Sequence, residues 1–270
     1  MSAAAVPAHA RVRVPRHSAG SVAAGVFGEL LITVGVLLGL FVVWQLWWTD
    51  VVAVREQHQV LQALDWEAPP PAPEAPAGVE PAAPVERRDP PPVDEEPAFA
   101  EVFAQLYIPR FGSDYVAPVA EGIDRQQVLD VLGVGHYPGT AMPGELGNFA
   151  TAGHRTTFGR PYHLVADLVE GDPVVVRTAA TWYVYRVVSH EIVMPWQTEV
   201  ISPVPGLRAG DPIPELTQRL MTMTACHPMF SARERYIVHA ELDFWMPVSA
   251  GVPAVLTDAG VDVVGVEGGD

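Results

Sequence analysis

The segment Leu220-Met221-Thr222-Met223-Thr224-Ala225-Cys226-His227-Pro228, followed closely by Arg235-Tyr236-Ile237-Val238-His239-Ala240, reads as two β-strands joined by a short loop. The first is an apolar strand pattern that ends at Cys226, because the residue before a proline is driven towards extended or turn geometry and the chain must then reverse. The second is rich in β-branched and aromatic residues and should return antiparallel beside the first. Alternation along it puts Arg235, Ile237 and His239 on one face.

Further strands are read by the same enrichment at 106–108, 148–152, 173–177, 182–188 and 191–194, separated by Gly and Pro. One helix is expected over 124–132, with Asp124 as N-cap, Gln127 three residues on and Gly133 closing it. Many short strands with one or two short helices predict a mainly β domain, closed as a barrel or stacked as a sandwich, over 98–246.

The flanking sequence differs in kind. Residues 1–21 carry Arg11, Arg13 and Arg16 and read as a basic cytoplasmic segment, followed by an apolar run centred on 30–48. At 1.5 Å per residue that run reaches close to the ~30 Å hydrocarbon thickness, so 22–48 is expected to be a transmembrane anchor. Trp44, Trp47 and Trp48 form an interfacial belt at its far end, and the arginines place the N-terminus inside and the rest of the chain outside. A cleaved signal peptide would show a shorter apolar region and a small-residue cleavage site. Residues 49–68 read as a juxtamembrane stalk, with Val54, Leu61 and Leu64 at near-helical spacing. Between Pro69 and Pro97 there are 11 prolines, which predicts an extended spacer over 69–97. Past Met246 there are four acids, no base and several glycines, and 247–270 is expected to be disordered.

Composition removes some function classes. The net charge is -16 and all 16 basic residues are arginine, so no basic surface is available to neutralise phosphates and no nucleic-acid partner is expected. A single cysteine excludes a disulfide framework and any multi-cysteine metal cluster. A metal site built from His154, His163, Cys226 and His227 has no ligand spacing to support it, and no cofactor is expected.

On an oxidising side of a membrane an unpaired thiol is either buried or chemically active. The strand-end position of Cys226 favours access, and the attacking species would be its thiolate, which needs cationic neighbours. Arg235 supplies permanent, planar hydrogen-bond donors, with Arg233 as the rival of equal parity. His154, after Gly153 at the end of another strand, is the natural acid–base partner. His227 adjoins the cysteine but should point to the opposite face.

The segments Gly135-His136-Tyr137-Pro138-Gly139-Thr140, 143–155 with Gly153-His154-Arg155, Gly171-Asp172, Thr222 to Pro228 and Arg235-Tyr236-Ile237-Val238 resemble the sortases, most of all the class E sortases of actinobacteria. The resemblance spans about 106–242. It implies an eight-stranded β-barrel transpeptidase with Cys226, His154 and Arg235 as its site. It further implies cleavage of a C-terminal sorting signal of Leu-Ala-x-Thr-Gly or Leu-Pro-x-Thr-Gly type between Thr and Gly, and transfer to an amine of a peptidoglycan precursor. The partners would be surface proteins bearing that signal, the precursor and the membrane. Another envelope cysteine peptidase, or a non-catalytic adaptor on the same scaffold, are the alternatives. The family's usual Thr-Leu-x-Thr-Cys stands here as Thr222-Met223-Thr224-Ala225-Cys226. Met for Leu conserves volume. With Ala225, any hydrogen bond from that hydroxyl to substrate is missing or supplied by Thr222 or Thr224, so these three are the expected substrate-binding residues.

Overall fold

The computed structural model of the protein describes residues 19–70 and 85–264; the readings for 1–18, 71–84 and 265–270 lie outside these. The chain divides into two compact units, Met1–Trp47 and Trp48–Asp270. Helix α1, Ala19–Ala63, is continuous through the position where the sequence suggested a change from anchor to stalk. It is the one helix among the described residues long and apolar enough to cross a membrane, as an anchor or a signal segment would. In the first unit Leu30, Leu37 and Phe41 are all exposed, and a helix that is apolar all round with no protein cover suits lipid rather than water.

In the second unit, Ala53, Gln57 and Leu61 are buried while Val54 is exposed. Their spacing of four puts them on one face of the helix. That face lies against the domain, where Gln57 Nε2 donates to the Phe158 carbonyl at 3.2 Å.

The strands are β1 Val102–Tyr107, β2 Val116–Glu121, β3 Val134–His136, β4 Gly147–Gly153, β5 Pro173–Arg177, β6 Thr181–Val193, β7 Arg219–His227 and β8 Glu234–Pro247. They close into a barrel in the order β1-β2-β3-β4-β7-β8-β6-β5. The pairs β2–β3 and β4–β7 are parallel and the others antiparallel. Closure leaves no unpaired edge for another chain to join. Phe149, Met221, Met223, Val238 and Ala240 pack inside with Leu106, Val119 and Tyr185. Each large apolar side chain buried in this way stabilises the fold by about 1.5–3 kcal/mol.

Several sequence expectations are refined. The two strands read at 182–188 and 191–194 are one long strand, β6, which shifts register against β8 between Val187 and Ser189. Strands β2 and β3 were not read. β2 contains Pro118, which stands opposite Gln105 in the β1 ladder and just outside the β3 ladder, whose pairing begins at Val119. β3 is three residues long and includes Gly135. The expected helix at 124–132 is a single wide turn, Arg125–Leu129, of π type; Asp124 caps it, accepting from the amides of Gln126 and Gln127.

The expectation of disorder past Met246 does not hold for residues 248–263. A short helix α2, Ala254–Thr257, follows β8, and Val248, Leu256 and Val263 are buried against Tyr107 and Trp182. Apolar residues spaced through the segment outweigh its acidic character, and the Trp182 indole donates to the Gly251 carbonyl. Likewise the end of the proline-rich spacer is not free. Arg87 pairs as a β-bridge with Trp245, and the Pro92 carbonyl accepts from the Tyr183 hydroxyl. Backbone carbonyls of a proline-rich strand remain acceptors even though its amides are missing.

Candidate active site

Three neighbouring strands, β4, β7 and β8, bring the chemistry-bearing residues to one level. In the antiparallel β7–β8 ladder Cys226 stands directly opposite Arg235. In the parallel β4–β7 ladder the last pair is Ala152 with Thr224, and two residues further along these chains come His154 and Cys226. Residues paired across a sheet share a face, and a step of two preserves it. His154 is therefore the first residue past the end of β4, and at the same end of the sheet Cys226 and Arg235 lie side by side on β7 and β8. Their face is opposite to that of Phe149, Met223, Ala225 and Tyr236, which belong to the barrel core. Arg233 lies before β8, its amide donating to the Ser231 hydroxyl, while Arg235 holds the register position opposite the thiol.

Cys226 is a free thiol of intermediate burial at the strand end, open enough for access. The Arg235 guanidinium donates to the carbonyls of Ala232 and Glu234, at 2.9 and 3.0 Å, which ties it to the β7–β8 loop. Next to β4, His154 Nε2 donates to Asp130 Oδ1 at 2.6 Å, and the Phe158 ring packs on the imidazole with 5.2 Å between centroids. The loop from His154 is closed by a hydrogen bond from the Tyr162 amide to the His154 carbonyl.

The glycine before the histidine has a steric reason. A Cβ on Gly153 would stand 2.7 Å from the buried Tyr162 ring. That ring is fixed by a 2.7 Å hydrogen bond between its hydroxyl and Thr151 Oγ1, and burial pushes the phenol well above its ordinary pKa. Gly153→Ala is therefore expected to lower stability by about 1–3 kcal/mol through overpacking, read as a lower urea midpoint with an unchanged slope.

The remaining sequence-selected residues divide. Thr222 is fully buried, its hydroxyl donating to Asn148 Oδ1 at 2.8 Å and meeting His239 Nδ1 at 2.9 Å. Thr224 is 5% exposed and shares a 3.0 Å hydrogen bond with the Tyr137 hydroxyl. Ala225 is buried among core side chains, so its methyl faces the barrel interior and away from the face that carries Cys226. The hydroxyl missing at 225 is thus a change inside the barrel wall. His163 lies in the His154 loop, where its Nδ1 meets the Arg155 carbonyl at 3.1 Å. Among the described residues no three His, Cys, Asp or Glu side chains converge as metal ligands.

Two residues close to the site were given no role in the sequence, Arg155 appearing there only as the last residue of the Gly153-His154-Arg155 element. Arg155 is 7% exposed, and its Nη1 donates to His227 Nδ1 at 2.9 Å and reaches the Cys226 carbonyl at 3.5 Å. Arginine is always a donor, so Nδ1 of His227 is an acceptor here. The guanidinium also lies over the Tyr236 ring at 5.5 Å, so this arginine ties the end of β4 to the cysteine strand and to β8. Asp130 is the other, reached only through the fold of the β2–β3 connection.

The Asp172 carboxyl of the Gly-Asp motif is a support of the barrel wall. Burial pushes it up, but hydrogen bonds from Arg110 and the Val169 amide outweigh this and hold it below the ordinary carboxylate value.

Comparison with known proteins is consistent with this geometry. A family model described as "Sortase domain" matches residues 106–243, just over half of the chain. Sortase SrtE1 of Streptomyces coelicolor is 36% identical over 259 residues, which cover 93% of this chain and 66% of that protein. The chain thus spans slightly less than two thirds of that relative's length. Among solved structures, the SrtA sortase from Actinomyces oris superposes with a TM-score of 0.59 at 41% identity, covering 66% of this chain and 100% of that one. Sortase E1 from Streptomyces coelicolor with a tripeptide in the active site gives a TM-score of 0.51 at 38% identity, covering 58% and 97%.

Proposed function

Because this chain belongs to the sortase family, we propose that it is a membrane-anchored cysteine transpeptidase acting on a C-terminal sorting signal outside the cytoplasm. The observation that supports this reading is the register that pairs Cys226 with Arg235 at the end of β7 and β8, with His154 just past the same end of the adjacent β4. The Cys226 thiolate attacks the carbonyl carbon of the signal's threonine, forming a C–S bond and a tetrahedral oxyanion. The C–N bond to glycine then breaks as His154 delivers a proton to the departing amine. In the second half an amine of a peptidoglycan precursor attacks the thioester. A new C–N bond forms, the thiolate leaves and His154 takes the amine's proton. Arg235 supplies fixed positive charge and paired N–H donors to the oxyanion and the substrate backbone.

The long apolar helix supports a membrane location, and the arginines before it with the tryptophans at its far end support the N-terminus inside. That orientation leaves the catalytic barrel on the side where wall precursors are.

The test uses the full chain in detergent with fluorogenic Leu-Ala-x-Thr-Gly and Leu-Pro-x-Thr-Gly peptides and an added amine. Cleavage between Thr and Gly with an aminolysis product is expected. No turnover of either peptide, or cleavage elsewhere, would overturn the reading. In the same assay Arg235→Ala should lower kcat by about 10²–10³-fold, the usual loss for one oxyanion donor. Arg235→Lys should recover only part, since an ammonium lacks the planar fork.

A further inference from the structure

The Asp130 carboxylate has no part in the chemistry above, yet it is bonded to the catalytic imidazole. Its Oδ1 accepts from His154 Nε2 at 2.6 Å, and both side chains are 17% exposed. Its other oxygen, Oδ2, faces Arg125 Nε at 3.5 Å, so the carboxylate is engaged on both sides. The backbone holds it as well: Asp130 ends the wide turn capped by Asp124, its amide donating to the Arg125 carbonyl at 2.8 Å. Across the imidazole Phe158 limits rotation of the ring, and its carbonyl is held by Gln57.

A carboxylate is acceptor-only, so the nitrogen facing it carries the proton. A neutral imidazole with a proton on Nε2 presents a lone pair at Nδ1. Which ring nitrogen exchanges protons with the reacting groups is therefore set by the partner of the other. We propose that Asp130 is a positioning residue that fixes the Nε2–H tautomer and the orientation of His154, reserving Nδ1 for proton exchange with Cys226 and the leaving and entering amines. This rests on the transpeptidase reading for its catalytic consequence, but the hold on the tautomer stands on the contact itself. Asp130 touches no substrate atom in this scheme. The alternative is a purely structural role, an end cap of the turn paired with Arg125.

The experiment compares wild type, Asp130→Asn and Asp130→Ala as full chains in detergent, with circular dichroism to establish folding. Turnover of the sorting peptides is resolved into kcat and KM. The ¹⁵N spectrum of histidine-labelled protein gives the tautomer of His154, assigned by the signal lost in His154→Gln. Wild type should show one tautomer, protonated at Nε2. Asp130→Ala should lose about 10- to 100-fold in kcat, less than the roughly 10²–10⁴-fold that the acid–base group itself contributes, with little change in KM. Asp130→Asn keeps the shape but can both donate and accept, so it should show mixed tautomers and an intermediate kcat.

A wild-type His154 protonated at Nδ1, or folded variants with wild-type kcat, would overturn the proposal. If Asp130→Ala does not fold, Asp130→Asn and the wild-type spectrum decide it. If wild type turns over neither peptide, the transpeptidase reading falls while the spectrum still tests the tautomer.

Discussion

Replacing Cys226 by alanine should abolish turnover of sorting peptides, by roughly 10⁴-fold or more, as removal of a covalent nucleophile does elsewhere. The loss should be complete in practice because no substitute is at hand. Cys226 is the only cysteine in the chain. The hydroxyls on the same strand face are occupied, Thr222 by Asn148 and His239 and Thr224 by Tyr137. Stability should change by no more than about 1 kcal/mol, since the residue is partly exposed at a strand end and fills no core volume. A folded protein with no activity separates a chemical role from a structural one. Retained activity would place the reaction on another group and remove the basis for the whole scheme.

The second large effect is expected at His154. His154→Ala should reduce kcat by about 10²–10⁴-fold, the usual contribution of a general acid–base group. Both half-reactions need the proton, one to release the glycine amine and one to deprotonate the acceptor. Acyl-enzyme formation and aminolysis should therefore both slow, as stopped-flow measurement of each phase would show. The thiol should remain alkylatable by iodoacetamide, because the end of the strand that carries it is held by its ladder with β8, which runs through Cys226 to His227. If only aminolysis slows, His154 serves the second step alone, and the leaving amine is protonated by another donor.

How far the sequence reached depends on what kind of signal each residue carries. The places of Cys226, Arg235 and His154, in or just past β7, β8 and β4, were legible because alternation along a strand fixes a face, while the roles proposed for them rest on the sortase pattern. The motif order of the sortases then ranked them. Strand β2 was hidden by Pro118, which lowers strand propensity although it stands in the ladder opposite Gln105. Asp130 carries no periodic signal: its approach to His154 depends on a single wide turn, and that conformation has no sequence pattern of its own.

Arg155 was named within the Gly153-His154-Arg155 element but given no role of its own. Its burial follows from Tyr236 and His227, which come from strands distant in sequence. For the tail, composition misled because charge counts average over a segment whose valines and leucine pack one by one. Ala225 is the opposite case. The family pattern drew attention to a missing hydroxyl, and only the barrel shows that this position faces inward.

In the proposed reaction the thiol of Cys226 becomes covalently acylated by the sorting signal. Its most direct test is intact-mass and peptide-mapping spectrometry of the full chain, quenched during reaction with a Leu-Ala-x-Thr-Gly or Leu-Pro-x-Thr-Gly peptide. An adduct is expected with the mass of the peptide up to its threonine less one water, mapped to Cys226 and discharged by added amine. No adduct, an adduct on any other residue, or one that persists in Cys226→Ala would contradict it.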